Sequence, residues 1–322
     1  MTQRMLDYHV DAGMTPLTDP EFGEERVFVP KCLQTRLFPD VPKGSAPQFL
    51  YALLDAGKIP FLLDRLGQAE LDHVCLYDFD DFDDDTQQVA PWLVRLTADS
   101  DITRQFFSFD ADDDNPFHML VHGGGILLRS HADIAALRGH LRHYTVLPDE
   151  GGVRMVFRMQ EPGYLDAFLA VSSDAEIATF FSHVLELTYL LPSLEDGKWD
   201  AISVRAPTVT AQNAQGLHAR PKLDKARRNN LRHMRNLIQA RALAVKTGAD
   251  LADREARADT YYKILMTGYD NEPTVIKTHD LLRRVPEGAL QPYWDAVRSG
   301  DHSLGYLNHR LAAHYGLEDL VQ

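Results

Sequence analysis

Apolar residues fall into short continuous runs as far as about residue 190 and into helical stripes beyond residue 200. Phe49-Leu-Tyr-Ala-Leu-Leu54 is too short and too continuous for a helix and predicts a buried strand. Ile59, Leu62, Leu63 and Leu66 form a helical stripe behind Pro60. His73-Val-Cys-Leu-Tyr77 and Gly125-Ile-Leu-Leu128 predict further strands. Tyr144-Thr-Val-Leu147 and Val153-Arg-Met-Val-Phe157 flank Pro148-Asp-Glu-Gly-Gly152, the pattern of a hairpin. Ser130-His-Ala-Asp133 and Ser173-Asp-Ala-Glu176 are both capping boxes, in which a hydroxyl and a carboxylate satisfy free amide donors. They open helices with Ile134, Leu137 and Leu141 inward in the first, and Ile177, Phe180, Phe181, Val184 and Leu187 inward in the second.

Beyond Trp199 the texture changes. Residues 219–246 and 250–267 are long helical patterns, with Gly248 ending the first and Asp250 capping the second. On a helical wheel Leu231, Met234, Leu237, Ile238, Ala242 and Val245 share one arc. Arg228, Arg232 and Arg235 lie on the neighbouring arc, and Arg241 and Leu243 fall off the pattern. The expected architecture is therefore a mixed α/β (α+β) N-terminal domain followed by a smaller all-α domain. Residues 1–48 are read as an extended lead-in with one short strand at Arg26-Val-Phe-Val29, 49–200 as the mixed domain and 201–322 as the helical one.

Charge sharpens that division. The 322 residues carry a net charge of −14, but residues 1–200 hold 15 basic and 34 acidic side chains, and residues 201–322 hold 18 and 13. The overall balance argues against a nucleic-acid binder. No apolar run approaches the ~18 residues that span a bilayer, and charges break the first residues before a signal-peptide core forms. Two cysteines, Cys32 and Cys75, supply neither a disulfide framework nor a cysteine-rich zinc site. The expectation is a cytoplasmic protein without a cofactor, a bound metal or membrane insertion.

The candidate chemistry is incomplete at every place it arises. His122-Gly-Gly-Gly125 is like the oxyanion segment of some esterases, yet no Gly-x-Ser-x-Gly nucleophile accompanies it, so it reads as a flexible turn into a strand. His118 and His122 have zinc-protease spacing without the activating glutamate; a metal-dependent hydrolase built on them is the alternative function. Asp81-x-Asp83-x-Asp85 and Asp110-x-Asp112-x-Asp114 begin like calcium loops. Thr86 and Asn115 then stand where glycine is needed, and Trp92 and Val121 where the bidentate glutamate belongs. From Arg220 to Arg241 run eight basic residues against Asp224 alone, with no aromatic residue for stacking on nucleic-acid bases. Arg228, Arg232 and Arg235 are the candidates there for docking an acidic protein segment.

A further set of segments is specific as an ordered series. These are Leu50-Tyr-Ala-Leu-Leu-Asp-Ala-Gly-Lys-Ile-Pro60, Cys75-Leu-Tyr-Asp78, Ala90-Pro-Trp-Leu-Val-Arg-Leu96, Gly125-Ile-Leu-Leu-Arg-Ser130, Leu137-Arg-Gly-His-Leu-Arg142, Phe157-Arg158 and Glu161-Pro162. In this order they resemble the type VI secretion effector adaptors, the domain-of-unknown-function 4123 family. Glu161 stands where that family more often has aspartate, and the Asp-rich stretches at 79–85 and 110–114 are particular to this chain. The resemblance implies a non-enzymatic adaptor and chaperone. Such a protein binds the N-terminal region of a secreted toxic effector, stabilises it and helps load it onto the spike protein of the secretion system. Trp92, Arg95, Arg158 and Pro162 match family positions and are expected to be structural, Trp92 in the core and Arg158 against a carboxylate or a helix end.

Overall fold

A computed structural model describes residues 6–20, 25–77, 84–110, 112, 115–206, 221–300 and 302–321. The chain divides into two compact units. One comprises Met1–Ser193 and Gly197–Leu231, the other Leu194–Asp196 and Arg232–Gln322.

The first unit is built on an antiparallel sheet that has seven strands among the described residues. The strands are β1 (Asp7–Met14), β2 (Phe49–Asp55), β3 (His73–Cys75), β4 (Pro91–Leu96), β5 (Gly125–Ser130), β8 (Glu186–Pro192) and β9 (Trp199–Arg205), in the spatial order β1-β9-β8-β5-β2-β4-β3. The predicted hairpin is present as β6 (Val146–Pro148) with β7 (Arg154–Val156). β2 lies centrally, paired with β4 on one side and β5 on the other, and both its faces are covered, which explains its unbroken apolar run. Leu50, Ala52 and Leu54 join a core with Val94, Leu127 and Leu190 beneath α1 (Lys31–Leu37), α2 (Leu62–Gln68) and α4 (Asp101–Phe106). Tyr51 and Leu53 point to the opposite face, where Tyr51 Oη donates to Ala132 O (2.8 Å) just ahead of α5 (Ile134–Arg142). The remaining helices of this unit are α3 (Asp84–Gln87), α6 (Tyr164–Leu169) and α7 (Asp174–Phe181).

Several sequence expectations need correcting. The lead-in 1–48 is not simply extended: it supplies edge strand β1 and helix α1, while Arg26–Val29 is not a strand. A domain boundary at residue 200 would cut β9, which pairs with both β8 and β1; the units part at Leu231 and Arg232 instead. Ser173 and Glu176 form the capping box expected of them, but α7 ends at Phe181, so Val184 lies beyond it and Leu187 is in β8; α5 is capped by Asp133, whose side chain accepts from Ala136 N–H. Ser130 ends β5 and donates to His183 O.

The second unit is helical. α8 (Lys225–Thr247) begins in the first unit and continues into this one, followed by α9 (Leu251–Leu265), α10 (Glu272–Arg284), α11 (Glu287–Ser299) and α12 (Leu304–Tyr315). Asp250 caps α9 as expected. Gly248 is required by proximity, because a Cβ there would lie 2.4 Å from Arg254 Cγ. The buried face of α8 is Asn236, Ala240, Leu243 and Ala244, which pack near Tyr261, Ile264 and Leu265 of α9. The arc expected to be core points elsewhere: Leu237 is exposed and Met234, Ile238 and Val245 are only half-buried. No described helix is long and apolar enough to cross a membrane.

Candidate partner-binding surfaces

The segments that carry the family resemblance meet at the end of β2. Its last residue, Asp55, is 1% exposed and has three partners. Its carboxylate accepts from Gly57 N–H (3.0 Å) and Gln160 Nε2 (3.3 Å) and pairs with the Arg158 guanidinium. Arg158 Nε also donates to Glu161 Oε1 (3.0 Å), and Lys58 pairs with the same glutamate. Burial holds the Asp55 carboxyl above its usual range, with Arg158, Gln160 and Gly57 pulling the other way. This network ties the turn Asp55-Ala-Gly-Lys-Ile-Pro60 to the segment 157–162, more than a hundred residues along the chain.

The other family positions brace the same architecture. Trp92 is half-buried against the core of the first unit, and its Nε1 donates to Gln87 O (3.1 Å). Arg95 lies over the Phe49 ring (4.2 Å) and pairs with Asp72 (3.4 Å). Arg138 Nε donates to Cys75 O (2.8 Å), tying α5 to β3. Pro162 is buried near Gly123, Gly124, Gly125, Phe106 and Trp199.

The glycine run after His122 is a packing device as well as a turn. Gly123 adopts φ +52°, a Cβ on Gly124 would sit 2.4 Å from Ile59 Cγ1, and one on Gly125 would sit 2.9 Å from Leu53 O. Gly125→Ala is therefore expected to lower stability by about 1–3 kcal/mol through overpacking against a backbone carbonyl that cannot swing aside. Gly139→Ala, in α5 with open space around it, should raise stability by roughly 0.5–1 kcal/mol. Urea midpoints of the two variants moving in the same direction would contradict this assignment.

His118 and His122 do not share an α-helix, unlike the zinc-protease pattern their spacing suggests. His118 is buried ahead of a single 3₁₀ turn (Leu120–His122), and the carboxylate of Asp19 lies 3.8 Å from its Nε2. Burial, then the charge of Arg65, lowers the His122 pKa. Among the described residues no three His, Cys, Asp or Glu side chains stand together to hold a metal ion. Asp81, Asp83 and Asp114, and the side chain of Asp85, lie outside the described residues; Asp110 accepts from Asp112 N–H within its own turn (3.0 Å).

Beside the Asp55 turn is a feature with no signal in the sequence. Phe61, the residue before α2, has φ +54° and is 64% exposed. An aromatic residue in the left-handed region, with its ring in solvent, is uncommon and is tolerated where the surroundings fix it. One turn on, Arg65 lies under the Phe117 ring (5.1 Å), and both Phe117 and Val121 are exposed. Phe61 adjoins the motif turn in the chain, and Phe117 connects to it through Arg65, whose Nη1 donates to Pro60 O (3.4 Å).

The basic candidates on α8 separate by role. Arg228 Nη1 donates to Glu150 Oε2 (2.8 Å) and Leu223 O (2.7 Å), so it fastens the start of the helix. Neighbouring Arg227 is buried, paired with Glu176 (2.7 Å) and lying over the Phe168 ring (4.5 Å). Arg232 and Arg235 are exposed and have no polar partner among the described residues. The positive excess also moves: residues 232–322 hold 12 basic and 12 acidic side chains, so the surplus of residues 201–322 belongs to the segment 201–231. The helical unit as a whole is not basic; α8 is.

Residues 50–179 match the family model described as Domain of unknown function (DUF4123). That stretch is what the chain shares with the family. The match runs from β2 into α7 and takes in the Asp55–Arg158 network and Phe61, whereas β1, β8, β9 and the helical unit lie outside it. No curated protein matches the chain, and no solved structure does.

Proposed function

We propose that this protein is a non-enzymatic adaptor and chaperone of a type VI secretion system. It binds the N-terminal region of a toxic effector in the cytoplasm, keeps that region soluble and helps load it onto the spike protein. The observation that carries this reading is the DUF4123 match over residues 50–179. The exposed rings of Phe61 and Phe117, joined through Arg65, support it further, because exposed aromatic side chains in the matched domain can anchor an apolar effector segment. Aromatic anchors of this kind supply much of the energy of protein interfaces, and a ring already held in solvent needs little rearrangement on binding.

The test is co-expression with candidate effector toxins, chosen from the products of genes adjoining this one. The toxin is expected to be poorly soluble alone, soluble with this chain, and to co-purify with it. Phe61→Asp should leave the fold intact and lower co-purification roughly tenfold. Equal soluble yield with and without the chain, and no co-purification, would contradict the adaptor role.

A further inference from the structure

We infer that the outer edge of the β6–β7 hairpin takes an extended segment of the protein partner as an added third strand. The inference rests on the adaptor reading and deepens it by naming the form of the partner segment and the backbone groups that hold it. The hairpin lies in the first unit, inside the residues that match the family model. Asp149 N–H donates to Val153 O (2.9 Å) and Phe157 N–H donates to Thr145 O (2.9 Å), so residues 153, 155 and 157 bond towards β6. The alternation of an antiparallel ladder then turns the N–H and C=O of Arg154 and Val156 away from β6. Among the described residues no backbone group bonds to them, because β7 pairs with β6 alone. The other edge of the hairpin is in use, with Leu223 N–H donating to Pro148 O (2.9 Å).

The side chains select what covers the open edge. Met155 stands opposite buried Leu147 and shares its face with Val153, while Arg154 and Val156 lie on the other face. Val153 (62%), Met155 and Val156 (60%) are all exposed, so the edge is apolar on both faces. A helix laid on one face would leave the other face wet and the four backbone groups unpaired. An extended segment pairs those groups and sends its own alternating side chains to both faces, as in strand addition. Arg154 is exposed and has no charged partner among the described residues, so a carboxylate opposite it on the added strand completes a cross-strand pair. A second copy of this chain is a poor occupant. β7 has three residues, and two such edges meeting would bury far less than the roughly 1,200 Å² of a stable interface. For a partner already bound elsewhere on the chain the contact is intramolecular, and a short strand suffices.

The experiment uses the full chain and the toxin that co-purifies with it. Val156→Pro deletes one outward N–H and leaves the ladder to β6 intact. With an unchanged melting curve, this variant should bind the toxin roughly tenfold more weakly, whereas Val156→Thr, which keeps the N–H and the branched shape, should stay within about threefold of wild type. Arg154→Glu should weaken binding about threefold at low salt and less at high salt. Amide exchange across residues 152–157 should slow in the complex, and a photocrosslinking residue at position 154 should mark a segment of the toxin. These last two readouts decide the matter if Val156→Pro lowers the melting temperature. Wild-type affinity of a folded Val156→Pro, unchanged exchange across 152–157, or a crosslink confined to a second copy of the chain would overturn this inference and leave the adaptor role standing. Binding of no candidate toxin by the wild-type chain would remove both.

Discussion

Asp55→Ala is expected to destabilise the first unit by about 2–4 kcal/mol, whereas Asp55→Asn should cost about 1 kcal/mol or less. The contrast follows from what the carboxylate does. Asp55 is buried and accepts from Gly57 N–H and Gln160 Nε2 while facing Arg158. Alanine leaves a small cavity and strands a backbone amide, a buried glutamine and a guanidinium. Asparagine keeps an acceptor for Gly57. It also removes a charge whose burial is already unfavourable, since burial holds the Asp55 carboxyl above its usual range. Arg158→Met should fall between the two at about 1–2 kcal/mol, because Arg158 is partly exposed and its loss lets Asp55 protonate. Urea unfolding at neutral pH measures all three. A Trp294→Phe background leaves the fluorescence to Trp92 and Trp199, both in the first unit. An alanine variant within about 0.5 kcal/mol of wild type would show that the network does not hold the turn. Under the adaptor role proposed above, the same substitution should also lower toxin capture, since the turn it loosens leads directly into Phe61.

How much of this was legible depends on what each residue's signal reports. β2 and β5 were readable because both faces are buried, so their apolar runs are continuous. β1 was not, because an edge strand with an exposed face has no apolar alternation to detect. The antiparallel strand order had no local signal either, since alternation of strands and helices does not fix strand direction. On α8 the wheel ranked leucine, isoleucine and methionine above alanine and asparagine and so chose the wrong side. Burial there follows close approach: Ala240 and Ala244 let Tyr261 pack fully, with its Oη 2.9 Å from Thr247 Oγ1. A carboxylate partner for Arg158 followed from residue type, but its identity did not, because Asp55 precedes it by 103 positions. Phe61 had no signal at all, because its left-handed backbone is imposed by the turn between Asp55 and α2.

Acidification offers a second large effect, centred on His140 of α5. Burial first, and then the charge of His183, push its pKa down to about 4 from an ordinary value of 6.5. The ring stacks on His183 (4.5 Å), and Nε2 lies 3.0 Å from Phe180 O, so Nε2 carries the proton of the neutral form and an added proton must go to Nδ1. The unfolded chain takes up that proton near pH 6.5, and the folded chain resists it until about pH 4. Between those values the unfolded state binds more protons, so stability falls as pH falls; above 6.5 His140 contributes nothing to the slope. His122 and His279, whose pKa values burial also lowers, act in the same direction. Asp55 and Asp166 act oppositely, because burial raises their pKa values and the folded state then gains protons first as the solution is acidified. Comparison with His140→Gln isolates the histidine, since the glutamine amide can donate to Phe180 O without titrating. Any stability advantage of wild type over this variant at pH 7.5 should shrink or reverse by about 2–3 kcal/mol at pH 4.5. A difference between the two proteins that stays constant from pH 7.5 to 4.5 would mean that His140 accepts its proton in the folded state as readily as in the unfolded one.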